Sequence, residues 1–388
     1  MALNNKIDEL LSGAVARADV PGVVAAVTTA EGTIYQAGFG ERELGGGVAM
    51  SPDTVGWIAS MTKAITSVAA LQLVEEGRLV LDQPAGELVA HLGQVEVLTG
   101  FDDTGRPLTR PPRRPVTLRH LLSHTSGLGY DFWNPEVIRY QEATGLPPVA
   151  SRRNDALLLP LLFDPGERWN YSIGIDWVGK MVEAVAGRTL GQVMQERIFE
   201  PLGMTSTAFQ PTPDMERRQA KAHARNANDS LEPMERAVVA EPEFEMGGGG
   251  LYSSVEDYLK FIRMILNRGS ADGRQVLQPE TVAEMSRNQI GGCRVGAMTM
   301  AMPGYSNDVE FLPGVEKTWG LAFMINEEAA PLGRSAGSLF WGGIANSYYW
   351  IDPARGIGGA YLTQILPFAD AKSLALFQDF ESTVYDNL

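Results

Sequence analysis

The sequence predicts an α/β protein of the α+β kind, with one sheet assembled from both ends of the chain and a mainly helical segment inserted between them. Three observations predict it. β-Prone runs occur close to the N-terminus, helical periodicity fills the middle, and alternating, aromatic-rich runs return near the C-terminus. At 388 residues burial is not limiting, and ~100–200 residues per domain favours two lobes. The expected division is a sheet domain from residues 1–82 and 246–388, a mainly helical domain from 83–245, and an active site between them.

Each element has a local cause. Ile7, Leu10, Leu11, Ala14 and Val15 recur at i, i+3, i+4, i+7 and i+8, so the chain opens with an amphipathic helix, and Pro21-Gly22 ends it. Val23–Thr29 and Thr33–Phe39 flank Ala30-Glu31-Gly32 and read as a hairpin, with Gly supplying positive φ. Ser60–Glu76 is an apolar helix with Ile65, Val68, Ala69 and Leu73 inward, closed by Gly77, and its apolarity implies central burial. From about Gln83 to Glu245 the period is helical at Leu118–Leu122, Asn154–Leu162, Ile175–Val185 and Leu190–Phe199. Arg106, Arg110, Arg113, Arg114 and Arg119 lie in or beside a proline-rich stretch, Pro107 to Pro115, which reads as a solvated polyproline loop rather than an anion site. Gly247–Gly250 marks a second boundary, and Ser254 with Asp257 resembles a capping box opening the helix Val255–Leu266. Trp319–Ile325, Ser338–Ile351 and Gly358–Leu366 return to strand, and Leu374–Tyr385 is a closing helix.

Composition narrows the function. The chain carries 32 Lys+Arg against 47 Asp+Glu, net −15, a field that repels phosphate backbones and anionic lipid, so neither nucleic acid nor membrane is an expected partner. One cysteine, Cys293, cannot form an internal disulfide, and four scattered histidines leave few ways to build a metal site; no metal and no cofactor are expected. The first residues lack an apolar signal-peptide core and no long apolar run occurs, so a soluble, cytoplasmic protein is expected.

Several motifs compete for the chemistry. Gly333-Arg334-Ser335-Ala336-Gly337 satisfies G-x-S-x-G, but a nucleophile elbow needs an apolar strand before it and a helix after it, and neither flank fits. His120 and His124 are spaced i, i+4 without the Glu of a zinc helix, and read as structural. Asn228-Asp229-Ser230 is a glycosylation sequon that matters only on export. Ser60-Met61-Thr62-Lys63 is the stronger candidate, because i, i+3 spacing at a helix start puts hydroxyl and ammonium on one face. The apolar helix after Lys63 implies partial burial, which depresses an ammonium pKa.

With these residues in place, the sequence resembles the serine β-lactamase and penicillin-binding-protein superfamily, in its class C-like branch, and most closely the family VIII carboxylesterases. Ser60-Met61-Thr62-Lys63 looks like the nucleophile motif, and Leu121–Leu128 like a structural segment of the helical lobe. Pro165–Ser172 resembles the segment bearing the catalytic tyrosine, Tyr171, while Pro201–Met204 and Gly248–Leu251 match further landmarks. The resemblance implies a β-lactamase/DD-peptidase-like fold, with an antiparallel sheet flanked by terminal helices and an inserted helical lobe. Two departures stand out. Tyr171-Ser172-Ile173 replaces Tyr-x-Asn, and Trp341-Gly342-Gly343 replaces Lys-Thr-Gly. The second removes a cation for a β-lactam carboxylate, a loss of about 1.5–3 kcal/mol for one charge-assisted hydrogen bond.

The implied activity is a serine hydrolase that cleaves short to medium acyl esters through a Ser60 acyl-enzyme, with Lys63 and Tyr171 sharing proton transfer. The oxyanion hole would combine the N–H of Ser60 with, by resemblance, that of Ile344. The substrate pocket would draw on Trp341, Gly342, Gly343, Phe132, Trp133 and Ile173. The partner expected is a small ester. The competing readings are a class C-like β-lactamase or D-Ala-D-Ala-peptidase, an acyltransferase of the same fold, and a non-catalytic homologue.

Overall fold

Residues 22–40 form the hairpin that their β-branched pattern predicts, β1 (Gly22–Thr29) pairing with β2 (Thr33–Gly40). The structure is a computed structural model that describes residues 3–388 except 236–238, 240 and 272. Further strands are β3 (Val55–Trp57), β4 (Val97–Phe101), β5 (Pro107–Arg110), β6 (Ala222–Arg225), β7 (Leu231–Met234) and β8 (Tyr252–Ser254). After two short strands, β9 (Ser270–Ala271) and β10 (Arg274–Gln275), come β11 (Lys317–Trp319), β12 (Met324–Asn326), β13 (Ser338–Gly343), β14 (Ser347–Asp352), β15 (Ile357–Leu362) and β16 (Ile365–Leu366). The helices are α1 (Leu3–Ala16), α2 (Thr62–Glu75), α3 (Leu118–Leu122), α4 (Pro135–Thr144), α5 (Gly174–Ala186) and α6 (Leu190–Met194). Then follow α7 (Glu200–Leu202), α8 (Pro213–Arg217), α9 (Val255–Leu266), α10 (Pro279–Met285) and α11 (Ala371–Tyr385).

Seven strands make the main sheet in the order β11-β12-β13-β14-β15-β1-β2, every neighbour antiparallel. The β15–β1 pairing, Val24 opposite Leu362, joins the two ends of the sequence. β13, β14 and β15 are buried along their whole length because helices cover the sheet. The terminal helices α1 and α11 pack together, and Tyr35 of β2 reaches both, bonding Asp8 and meeting the Phe380 ring. α9 packs on β1 and β15, its start fixed by the Ser254 hydroxyl accepting the Asp257 N–H. Every residue of α2 from Thr62 to Leu73 is buried, as a helix apolar on all sides requires, and α2 packs against α5 and α6. The mixed α/β architecture with a large antiparallel sheet is therefore the expected one.

Several local readings are corrected. Asn154–Leu162 is not a helix. It is a single turn over Asn154–Leu157 followed by extended chain, with Leu161 bridging Val97, because Pro160 lacks the N–H a helix would need there. Trp319–Ile325 divides into β11 and β12, turning at Gly320, where a Cβ would collide with the Met285 carbonyl oxygen. Ser338–Ile351 is likewise two strands, β13 and β14. The proline-rich stretch is not simply solvated loop: Pro107–Arg110 forms β5 against β4, and the Arg110 guanidinium grips the buried Asp164 carboxylate at 2.7 and 2.9 Å. Sequence periodicity also missed α4 and the β16-β6-β7 sheet.

Candidate active site

Ser60 occupies a 3₁₀ turn, Ala59–Met61, that runs directly into α2. Ala59 takes a left-handed conformation, φ 45°, which costs a non-glycine residue energy and persists only where surroundings hold it. Here the Ile58 N–H donates to the Leu251 carbonyl, the Leu251 N–H to Thr62 Oγ1, and the Tyr258 hydroxyl to the Met61 carbonyl. The turn is thereby clamped from both sides. Ser60 keeps partial exposure while Lys63, one turn on, is 1% exposed.

Lys63 Nζ donates to Ser60 Oγ at 3.2 Å, to Tyr130 Oη at 2.9 Å and to the Gly248 carbonyl at 2.6 Å. It also lies over the rings of Tyr171 and Tyr130, 4.7 and 5.1 Å from their centroids. Three acceptors match the three N–H groups of an ammonium. Burial without a touching carboxylate lowers the Lys63 pKa to about 7, the charge of Asp176 opposing that fall. A neutral Lys63 would keep two of these bonds and turn its lone pair toward Ser60.

The glycine run that marks a boundary in the sequence is the floor of this site. Thr66 Oγ1 donates to the Gly247 carbonyl, Lys63 to that of Gly248 and the Trp57 indole to that of Gly249. Gly248 also donates its N–H to Asp176 Oδ1 at 2.8 Å, and a Cβ on it would lie 2.6 Å from Asp176 Oδ2 and 2.9 Å from Tyr130 Oη. A larger residue there would press on both groups.

Tyr171 stands in the segment before α5, its hydroxyl accepting the Trp341 indole N–H at 3.0 Å. Burial pushes the phenol pKa up, while hydrogen bonding from Ser60 and Trp341 pulls it back. The ring is held by His124, 4.8 Å away, and by Trp341, 4.9 Å. His124 itself accepts the Ser172 N–H at Nδ1 and stands edge-on to Trp319. His120 instead faces Thr117, capping α3, so the two histidines face different neighbours.

Ile344 lies in the turn that follows β13, half-buried. Gly343 brings this turn against the Ser60 turn, since a Cβ there would collide with the Ile58 carbonyl oxygen. Phe132 and Trp133 are half-buried, Phe132 stacked on Tyr130 at 4.8 Å and on exposed Tyr305 at 6.1 Å. Trp341 is 2% exposed and Ile173 has no exposed surface, so both back the site from within rather than form an open wall, and Gly342 and Gly343 are buried strand backbone. Tyr130 and Asp176 escaped sequence reasoning. The available signal was an acid in α5 at i, i+3 and i+6 spacing with Gly179 and Val182, where apolar residues belong.

Ser335 has none of these neighbours. Its turn has no helix after it, and its N–H donates to Asp352 Oδ2 at 2.9 Å. Arg334 beside it is a buried structural cation, bonded through Nε and Nη2 to the Glu381 carboxylate of α11.

A profile of the family described as Beta-lactamase matches residues 7–380. The chain belongs to the beta-lactamase family. Its relatives there include the lovastatin esterase of Penicillium rubens, 32% identical over 98% of each chain. The monacolin J acid methylbutanoyltransferase of Aspergillus terreus is 34% identical, over 96% of this chain and 93% of the relative. Unliganded simvastatin synthase (LovD) from Aspergillus terreus superposes with a TM-score of 0.84 at 30% identity, covering 99% of this chain and 98% of the other. EstCE1, a hydrolase with promiscuous acyltransferase activity, shares the fold, with a TM-score of 0.80 at 22% identity over 99% and 98% of the chains. This beta-lactamase-family chain is accordingly an enzyme of the serine hydrolase and acyltransferase superfamily. Among the described residues, no helix is long and apolar enough to cross a membrane.

Proposed function

We propose that this protein is a carboxylesterase of the family VIII kind, which cleaves short to medium acyl esters through an acyl-enzyme on Ser60. The observation that carries the reading is Lys63, buried and bonded at once to Ser60 Oγ, Tyr130 Oη and the Gly248 carbonyl. In this mechanism neutral Lys63 accepts the Ser60 proton as Oγ attacks the ester carbonyl. The developing oxyanion is met by the N–H groups of Ser60 and Ile344. Tyr171, kept protonated by burial, passes a proton to the departing alkoxide and is resupplied from Lys63. Water then enters, gives up a proton by the reverse route and releases the acid.

The relatives support this class of chemistry, one named as a lovastatin esterase and another as a methylbutanoyltransferase. The second name favours one further reading, in which an alcohol rather than water resolves the acyl-enzyme. Trp341 disfavours β-lactam turnover, because a neutral indole already bonded to Tyr171 offers no cation to a substrate carboxylate.

Initial rates on p-nitrophenyl butyrate and on a chromogenic cephalosporin, measured for wild type and Ser60→Ala, test the proposal. Ester turnover lost in the variant, with little cephalosporin turnover in wild type, is the expected result. Faster cephalosporin than ester turnover would replace it with the β-lactamase reading. Adding excess alcohol separates the remaining pair: an unchanged acid yield supports hydrolysis, and a new ester product supports transfer.

A further inference from the structure

Asp176 is a carboxylate with no exposed surface, in the first turn of α5, and it is not bonded directly to Lys63. One peptide unit separates them. Asp176 Oδ1 accepts the N–H of Gly248, and the carbonyl of Gly248 accepts Lys63. The second oxygen, Oδ2, has no hydrogen-bond partner, although it and Tyr130 Oη crowd the same face of Gly248. A buried, unpartnered carboxylate oxygen is costly, and its surroundings do not otherwise explain it.

We propose that Asp176 is a positioning residue for the Ser60 chemistry: it clamps the Gly248 peptide so that its carbonyl faces Lys63, and its charge sets how readily Lys63 surrenders a proton. The inference rests on the hydrolase reading above. The groups that face Lys63 are Ser60 on its own turn, Tyr130 beside the 131–133 turn, Tyr171 ahead of α5, His124 after α3, Asp176 within α5 and the Gly248 backbone. Asp131 and Arg152 act one step out, on Tyr130 and Asp176 respectively. Burial pushes the Asp176 carboxyl up and Lys63 pulls it back, so the two charges sustain each other across the peptide.

The sign follows directly. Asp176 raises the Lys63 pKa, and activity needs neutral Lys63, so removing the negative charge extends activity to lower pH. An opposite charge at close range shifts a neighbour by about 1–3 pH units. The test compares wild type with the near-isosteric Asp176→Asn and with Asp176→Ala, following kcat/KM for p-nitrophenyl butyrate and the rate of Ser60 labelling by a fluorophosphonate against pH. In Asp176→Asn the acid limb of both profiles moves down by about one unit or more, with KM within about twofold. Asp176→Ala loses the clamp as well, and its plateau kcat falls further, by about 2–10-fold, roughly one lost neutral hydrogen bond.

A folded Asp176→Asn with the wild-type limb in both assays overturns the inference and leaves the hydrolase reading standing. Wild type that neither turns over ester nor labels at Ser60 overturns both. If Asp176→Asn does not fold, Gly248→Ala interrogates the same clamp, because its methyl would lie 2.6 Å from Oδ2. Reduced kcat with KM preserved then supports the inference, and an unchanged kcat overturns it.

Discussion

Two serines of this chain sit beside buried cations, and the cations are held in opposite ways. Next to Ser335, Arg334 is 2% exposed and meets the Glu381 carboxylate through Nε and Nη2, the latter 2.6 Å from Oε2. Three residues from Ser60, Lys63 is as deeply buried but meets a hydroxyl, a phenol and a carbonyl, with its carboxylate held off behind the Gly248 peptide. A guanidinium bonded directly to a buried carboxylate serves structure. An ammonium that faces neutral acceptors is poised near neutrality and can do proton transfer. The two serine turns differ in what holds their cations, which neither short motif reveals.

The largest effect expected from this contrast is on the nucleophiles. Ser60→Ala should lower ester hydrolysis by on the order of 10⁴-fold or more with the circular dichroism spectrum unchanged, whereas Ser335→Ala should stay within about twofold. A dead Ser335→Ala enzyme with a native spectrum would invert the assignment. Exchanging the cations sharpens it further. Lys63→Met should abolish turnover while moving the melting temperature little. Glu381→Gln, which strands the Arg334 charge, should cost about 3–5 kcal/mol of stability in denaturant titration and leave the rate per folded molecule intact.

Smaller changes probe the tyrosine. Trp341→Phe removes the N–H at 3.0 Å from Tyr171 Oη while keeping an aromatic ring, and kcat should fall roughly tenfold in steady-state assays. An unaltered kcat would reduce Trp341 to packing.

The smallest effect concerns a pair with no part in the chemistry. Arg110 holds the Asp164 carboxyl down at about 2 against an ordinary 3.8. A depressed folded pKa contributes stability that is present above the unfolded value and is lost as pH falls through the folded one, here between about pH 4 and 2. Melting curves of Arg110→Ala across that window should show a shallower acid loss than wild type, and parallel curves would mean the pair adds nothing.

Much of this was legible in the residues themselves. Ser60 and Lys63 share one face by spacing alone, and the apolarity of Ile65, Val68, Ala69 and Leu73 announced a buried helix. Strand pattern located the terminal hairpin and the C-terminal strands. It merged β11 with β12 because a single glycine, Gly320, is the only turn signal between two apolar runs, and an isolated glycine in a strand pattern reads equally well as a bulge. Tyr171 emerged from resemblance of its segment to a known family. Trp341 was read as a pocket residue from the same resemblance, and only where Nε1 points showed it to be a donor to Tyr171.

By itself, then, the sequence determined the α/β class, the apolar helix that buries Lys63 and the hydroxyl–amine pair at its start, because these follow from periodicity and spacing within a few residues. Only the tertiary structure decided what Lys63 touches. Tyr130, Asp176 and Gly248 come from distant loops and helices, and their convergence depends on how α2, α5 and the glycine run pack. A proton affinity is set by desolvation and by charges a few ångströms away, and neither is a local property of the chain.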